Sequence, residues 1–160
     1  MRLRSASEAD GFEHGAAIID GKLYEFTSGF GNKVKIPESV ADTVNNDNVK
    51  SVHLLHSHTN DTPHSMTDLE KLLVDKVDRI SVIAHNGDTF SVYVGHGWIP
   101  TREEYRQAAK EISNEVDRDA HNIPEFTEWS VDERNYAGIR EQAYRIVRHF
   151  KWTMEGGSLK

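Results

Sequence analysis

The most informative stretch of the chain is SVHLLHSHTNDTPHSMTDLEKLL, residues 51–73. It predicts a strand, a loop and a helix, and it contains the spaced histidines and aspartate described below. Residues 51–58 alternate between two faces and carry apolar side chains on both at their start, as an internal β-strand does. After a polar loop, the run Thr67-Asp68-Leu69-Glu70 predicts a capping box that opens a helix. The apolar side of this helix is predicted to consist of Leu69, Leu72, Leu73 and Val77.

Three side chains of this stretch are spaced to bind one metal ion. His56 and His58 are two residues apart on an extended strand, so they point to the same face. Asp68 lies in the first turn of the predicted helix and can fold back towards them. Three protein ligands leave a fourth position for water, which is the arrangement of a catalytic zinc. The chain has no cysteine, so histidines and carboxylates are the strong metal ligands that it offers.

The rest of the sequence predicts strands before residue 100 and helices after it. Turns at Asp20-Gly21 and Asn86-Gly87 each lie between apolar runs, which is typical of hairpins. The predicted elements are two strands within 15–28, a short helix or turn within 38–48, strands at 80–84 and 89–94, and helices at 101–116 and 131–152. We therefore predict an α+β domain with a mixed sheet over residues 1–100, and a helical extension packed on it over residues 101–160.

Composition limits the function. The 160 residues carry 26 acidic and 19 basic side chains, a formal charge of −7, which disfavours a nucleic-acid partner. No apolar run approaches the roughly 18 residues of a membrane span. No apolar segment follows the basic residues 2–4, so a signal peptide is not expected, and the cytoplasm is the predicted location.

The order of these residues resembles the JAMM (MPN+/JAB) family of zinc metallopeptidases. Glu13-His14-Gly15 precedes a strand, and His56-x-His58 is followed by Ser65-x-x-Asp68. The similarity covers about residues 10–95. Two departures are Thr59, where the family often has proline, and a loop that is one residue shorter than usual. Short loops of this kind occur in the JAB-like proteins of phages and other mobile elements, which this chain resembles most.

The resemblance implies a JAB/MPN-like (cytidine-deaminase-like) mixed sheet flanked by helices. It implies Zn2+ as cofactor, with His56, His58 and Asp68 as ligands. It also implies Glu13 as general base and Ser65 as a donor to the oxyanion of the tetrahedral intermediate. The expected reaction is hydrolysis of a peptide or isopeptide bond, in a protein or peptide substrate such as a ubiquitin-like tail.

Other functions stay open at this point. A catalytically inactive scaffold of the same fold would keep the architecture without the reaction. A phosphoesterase interpretation of His56-Ser57-His58-Thr59 would need two such elements, and the sequence offers one. A nucleic-acid role, by analogy with the DNA-repair-associated JAB branch, conflicts with the acidic balance.

The single residues have interpretations without a metal as well. Asp68 and Ser65 suit a helix N-terminus by themselves, and Glu13 could be a solvated acid. We predict that His64 is a solvated loop residue, although it could reach substrate or a second metal. His53 is predicted to belong to the sheet or core. The three tryptophans and the last helix are predicted to be packing elements: Trp98, Trp129, Trp152 and residues 131–152.

Overall fold

The computed structural model describes residues 2–27 and 34–156. The strands in these ranges are β1 (His14–Ile19), β2 (Lys22–Thr27), β3 (Val52–Ser57), β4 (Val77–Ile83), β5 (Thr89–Tyr93) and β6 (Thr153–Gly156). The helices are α1 (Arg2–Asp10), α2 (Glu38–Val44), α3 (Met66–Leu69), α4 (Arg102–Ala120) and α5 (Val131–His149), with 3-10 turns at Glu70–Leu73 and Pro124–Thr127. The predicted α+β class with a mixed sheet is confirmed for the described residues.

The six strands form one sheet in the order β2-β1-β3-β4-β5-β6. Only β3 and β4 run parallel in it, and the other neighbouring pairs are antiparallel. The predicted turn between β1 and β2 is tight, because Asp20 and Gly21 both adopt positive φ angles, 47° and 84°. The parallel pair needs a longer connection, and this connection carries the loop, α3 and the first 3-10 turn.

The main core lies on the face of the sheet that α2, α3, α4 and α5 cover. Every second residue of β3 points into it, starting with the buried Val52 and Leu54. His56 is the next residue of that series, so it lies at the end of the core rather than on an outer surface. The α4 and α5 side chains in this core are Tyr105, Ala108, Ile112, Val116, Ala143, Ile146 and Val147.

On the opposite face of the sheet, α1 packs against β1 and β3. Leu3 of α1 packs with Ala16, Leu55 and Ile83 in a second, smaller cluster of buried residues. The sequence did not predict this helix, since its nine residues have no strong apolar periodicity. Its packing shows why β3 is apolar on both faces, as an internal strand must be.

The helix after β3 is much shorter than predicted. Residues 66–69 form one α-helical turn and residues 70–73 a 3-10 turn, whereas Val77 belongs to β4. The chain leaves the helix at Val74, whose backbone is extended with φ −77° and ψ 125°. The Lys76 carbonyl then accepts the Val52 N–H and begins the β3–β4 pairing. Val77 is buried as a strand residue. It lies at helical spacing from Leu69 and Leu73 by coincidence, because it belongs to a different element.

The chain after α5 also differs from the prediction. The last helix was predicted to reach residue 152, but α5 ends at His149 and β6 follows it. β6 pairs antiparallel with β5 and extends the sheet. Trp152 is buried against Phe150 and Tyr105, which confirms the packing role predicted for it. Trp98 is 46% exposed and packs its ring edge-to-face against Phe150, so the packing role predicted for it holds for about half of that side chain. No helix within residues 2–27 and 34–156 has the length and apolar character of a membrane span.

Candidate metal centre

The candidate metal ligands come together where β3 ends and α3 begins. His56 is the fifth residue of β3. His58 lies just beyond the strand, and its N–H donates to Ile83 O at 2.8 Å, which continues the pairing with β4. Asp68 lies in the only turn of α3. The structure therefore places all three predicted ligands at one end of the sheet.

The distances between the ligand atoms fit one small cation. His56 Nε2 and His58 Nε2 are 2.9 Å apart. The Asp68 oxygens lie 3.4 Å from His56 Nε2 (Oδ1) and 3.6 Å from His58 Nε2 (Oδ2). Ligand atoms about 2.0–2.1 Å from a tetrahedral zinc are themselves about 3.3 Å apart. Each of the three pairs is near that separation, the two Asp68 distances belonging to different oxygens of its carboxylate. The His56, His58 and Asp68 group can thus hold a metal ion.

A second set of contacts orients the His58 ring. Its Nδ1 lies 2.9 Å from Thr62 O and 3.0 Å from Thr62 Oγ1. A carbonyl can only accept a hydrogen bond, so Nδ1 carries a proton, and the Nε2 lone pair of the neutral ring faces His56 and Asp68. This is the support that metal-binding histidines usually have. No motif in the sequence indicates this role for Thr62.

The loop that supplies Thr62 is itself held in place. The Asn60 side chain accepts hydrogen bonds from the Thr62 N–H at 3.2 Å and the Thr62 hydroxyl at 2.5 Å. Asn60 O accepts the His85 N–H, and the Asp61 carboxylate accepts the Asn86 N–H. These bonds fasten the loop to the β4–β5 turn. An asparagine two residues before a threonine is a turn signal in the sequence, but only the structure shows which ring it supports.

Ser65 and Asp68 form a capping box at the start of α3. The Asp68 N–H donates to Ser65 Oγ at 3.2 Å, and the Ser65 N–H donates to Asp68 Oδ2 at 2.7 Å. The capping box was predicted two residues later, at Thr67 and Glu70, and that prediction was wrong. The helix begins earlier because Ser65 has the extended backbone of an N-cap, with φ −76° and ψ 164°.

The Ser65 hydroxyl also donates to Asp68 Oδ2 at 2.7 Å. Its one proton is therefore directed at the candidate ligand, and it would have to rotate to reach a substrate oxygen. The predicted oxyanion role of Ser65 stays a prediction. The structure adds a further role, which is to hold Asp68 in place.

Glu13 lies next to this centre, immediately before β1. Because β1 is antiparallel to β3, with Gly15 opposite His56, the start of β1 and the end of β3 meet at the same edge. Glu13 is only 8% exposed and lines the same cleft as His56, His58, Ser65 and Asp68. Burial raises the pKa of its carboxyl group, against the opposing effect of the two histidines. The alternative of a solvated acid is wrong.

The electrostatics of the ligands are strongly coupled. Burial alone would raise the pKa of Asp68, but hydrogen bonds with His56 and His58 outweigh it and hold that pKa well below its usual value. Burial opposes the charged form of His58, yet its hydrogen bond with Asp68 leaves the pKa of His58 raised. The centre therefore favours one negative charge on Asp68 and a positive charge beside it, which a proton or a metal cation can supply.

The cleft that contains these groups has a volume of about 520 Å³. Its floor is formed by β1 and β3, and apolar side chains from several elements flank the polar groups, among them Phe26, Val34, Ile36 and Ile139. A cleft with apolar walls and a few convergent polar groups is the usual form of a binding site.

Two other histidines lie in the fold without joining the centre, His64 fully buried and His53 partly buried. His64 is 0% exposed and its Nε2 lies 3.1 Å from Ile80 O, so the prediction of a solvated loop residue was wrong. Burial lowers the pKa of His64 to about 3. His53 contacts Ser81 Oγ at 2.8 Å on the other face of β3, as predicted for a sheet residue. Burial lowers the pKa of His53 to about 4.

Comparison with known proteins does not identify the chain. No protein-family model matches it, and no curated protein or solved structure is significantly similar to it.

Proposed function

We propose that this chain is a zinc-dependent hydrolase of peptide or isopeptide bonds with a JAB/MPN-like fold. The observation that carries the proposal is a buried glutamate, Glu13, in the same cleft as a His-His-Asp group with zinc-like spacing. The order of the elements supports the resemblance: glutamate, hairpin, histidine strand and aspartate helix all meet at one end of the sheet.

The ligand set favours zinc over magnesium and calcium. Two imidazole nitrogens and one carboxylate suit zinc, whereas magnesium and calcium prefer sites made of oxygen atoms. His56, His58 and Asp68 would hold the ion. Zinc bound there would act as a Lewis acid that lowers the pKa of water and polarises a carbonyl oxygen.

Glu13 is the proposed general base. Its burial raises its pKa towards neutrality, which makes the carboxylate a better proton acceptor than an exposed glutamate. It would take the proton from the attacking water and pass it to the nitrogen of the leaving amine. Ser65 holds Asp68 and, by rotation of its hydroxyl, would donate to the oxyanion. An inactive scaffold would need none of these groups in one cleft.

The proposed substrate is a polypeptide, including the case of a tail joined to a lysine side chain. The test uses wild type, Glu13→Gln and the control Glu25→Gln, which changes an exposed acid of β2. Each protein is loaded with zinc and incubated with a digest of peptides and with peptides carrying a lysine-linked Gly-Gly branch. Products are identified by mass spectrometry, and zinc content is measured in parallel.

We expect Glu13→Gln to keep its zinc and to lose cleavage by about 100-fold or more, the usual contribution of a general base. Glu25→Gln should cleave as wild type does. Unchanged cleavage in Glu13→Gln would remove the proposed base. Zinc binding without cleavage of any substrate by wild type would favour the scaffold.

A further inference from the structure

A second groove adjoins the metal cleft and is open to solvent. It lies between the end of α4, the start of α5 and the loop after β3, and has a volume of about 940 Å³. We call it the aromatic–acidic groove and define it by Asp61, Asp117, Phe126, Trp129, Asp132 and Tyr136. Asn60, Thr62 and Ile139 line both this groove and the metal cleft. An extended chain with one bond at the metal centre could therefore continue into it.

The walls of the groove are aromatic. Phe126 and Trp129 are only partly buried, and their ring centres are 5.8 Å apart at an angle of 58°. The guanidinium carbon of Arg134 lies 5.6 Å from the centre of the Phe126 ring. The Phe126 ring is therefore oriented for a cation–π contact, which Arg134 of the chain itself makes.

The rim of the groove is acidic. Four carboxylates (Asp61, Asp117, Asp132 and Glu133) and one guanidinium (Arg134) line it. Glu133 is engaged in the N-terminal cap of α5, where it accepts the Ser130 N–H. Within residues 2–27 and 34–156, the carboxylates of Asp61, Asp117 and Asp132 form no ion pair. Asp61 also accepts one backbone N–H, from Asn86, but no cationic side chain of the described residues neutralises the charge of these three carboxylates.

Aromatic faces together with unpaired carboxylates match a long cationic side chain. The alkyl part of a lysine or arginine can pack on the rings while its charged end pairs with the acids. A nucleic acid or an acidic peptide would meet net negative charge and be repelled. We propose that the aromatic–acidic groove binds a lysine or arginine side chain of the polypeptide whose bond lies at the metal centre. The proposal rests on the function proposed above and names its substrate class.

The test separates the groove from the reaction. The full chain is labelled with 15N, and the indole N–H signal of Trp129 is assigned with Trp129→Phe. It is titrated with N-acetyl-lysine methylamide, N-acetyl-arginine methylamide and the uncharged N-acetyl-norleucine methylamide. Each titration is done with zinc and with a chelator, so that the result does not depend on whether the metal site is correct.

We expect the Trp129 signal to shift with the two cationic probes and to move little with norleucine. The double variant Asp61→Asn/Asp132→Asn should weaken the binding about fivefold, the equivalent of about 1 kcal/mol. Glu128→Gln changes an exposed acid outside the groove and should have no effect. An equal response to norleucine, or no response, would overturn the proposal. A signal that depends on protein concentration and ignores the probes would also overturn it, since a second copy of the chain would then cover the groove.

The cleavage products give an independent check. If the chain cleaves peptides, the products should carry lysine or arginine at one fixed position relative to the cut bond. Cleavage without this enrichment would refute the groove and leave the hydrolase intact. A Trp129 response without any cleavage would refute the hydrolase and leave a cation-binding groove.

Discussion

Two of the three capping boxes in the described part of the chain, those at α3 and α4, have the same geometry and different surroundings. In the box at α3, the Ser65 N–H donates to Asp68 at 2.7 Å, and the Asp68 N–H donates back to Ser65 at 3.2 Å. In the box at α4, the distances between Thr101 and Glu104 are 2.8 and 3.2 Å. Thr101 and Glu104 are exposed, whereas Asp68 is half-buried and lies beside two histidines.

The S-x-x-D pattern therefore has two roles at α3. It caps the helix, as the equivalent residues do at α4, and it also places Asp68 in the candidate metal site. Asp68 uses Oδ2 for the cap, and its Oδ1 faces His56. Being the shorter side chain, aspartate keeps the carboxylate close to the helix start, where the cap also fixes its orientation. The cap thus pre-orients a ligand, which reduces the freedom that the ligand would otherwise lose on binding a metal.

The largest effect is expected on zinc affinity, when the charge of Asp68 in the α3 box is removed. Asp68→Asn keeps an oxygen that can accept the Ser65 N–H, but it removes the negative charge from the metal centre. We expect zinc affinity to fall on the order of 1,000-fold, or about 4 kcal/mol, with little change in melting temperature. Glu104→Gln is the matched control and should bind zinc as wild type does. Competition with a chromophoric chelator measures the zinc affinity of both variants. An equal loss of affinity in both would show that Asp68 is not a zinc ligand.

A smaller effect is expected of low pH on stability, and it depends on the residue that precedes each capping box. His64 precedes Ser65 and is fully buried, whereas Pro100 precedes Thr101 and cannot titrate. The pKa of His64 is about 3 in the folded chain against 6.5 as the ordinary value. The unfolded chain therefore binds more protons between these values, and stability falls as the pH falls from 6.5 towards 3.

Each pH unit below 6.5 costs about 1.4 kcal/mol, so the loss between pH 7 and pH 5 is about 2 kcal/mol. Urea unfolding in the presence of a chelator, at pH 7 and pH 5, measures it. His64→Leu should flatten the pH dependence, and His96→Leu, which changes an exposed histidine, should not. An unchanged pH dependence in His64→Leu would show that the histidine is not held neutral.

The smallest expected effect compares the hydroxyls of the two boxes. Ser65→Ala and Thr101→Ala each remove a cap and should each cost about 1 kcal/mol of stability. Only Ser65→Ala should also weaken zinc binding, by about tenfold, as loss of a group that supports a ligand does. Thermal unfolding and chelator competition on the same samples provide the two readouts. Weaker zinc binding in Thr101→Ala would mean that helix stability, not the position of Asp68, controls the site.

The sequence predicts the site better than it predicts the elements around it. Local rules sufficed for the β1–β2 turn, for β3 and for the spacing of His56, His58 and Asp68, because each depends on residues close together in the chain. The length of the helix after β3 could not be predicted from the sequence. Val77 has the spacing of an apolar helical residue, but it pairs with Val52 of β3 as the first residue of β4. The burial of His64 and the role of Thr62 also depend on contacts between distant or irregular segments, which a local pattern does not contain.

We propose that His56, His58 and Asp68 bind one zinc ion together. The most direct measurement is the zinc content of wild type and of His56→Ala/His58→Ala by mass spectrometry, after removal of metal with a chelator and addition of one equivalent of zinc. We expect one zinc per wild-type chain after dialysis and none in the double variant, with both proteins folded. No retained zinc in wild type, or the same amount in both proteins, would contradict it.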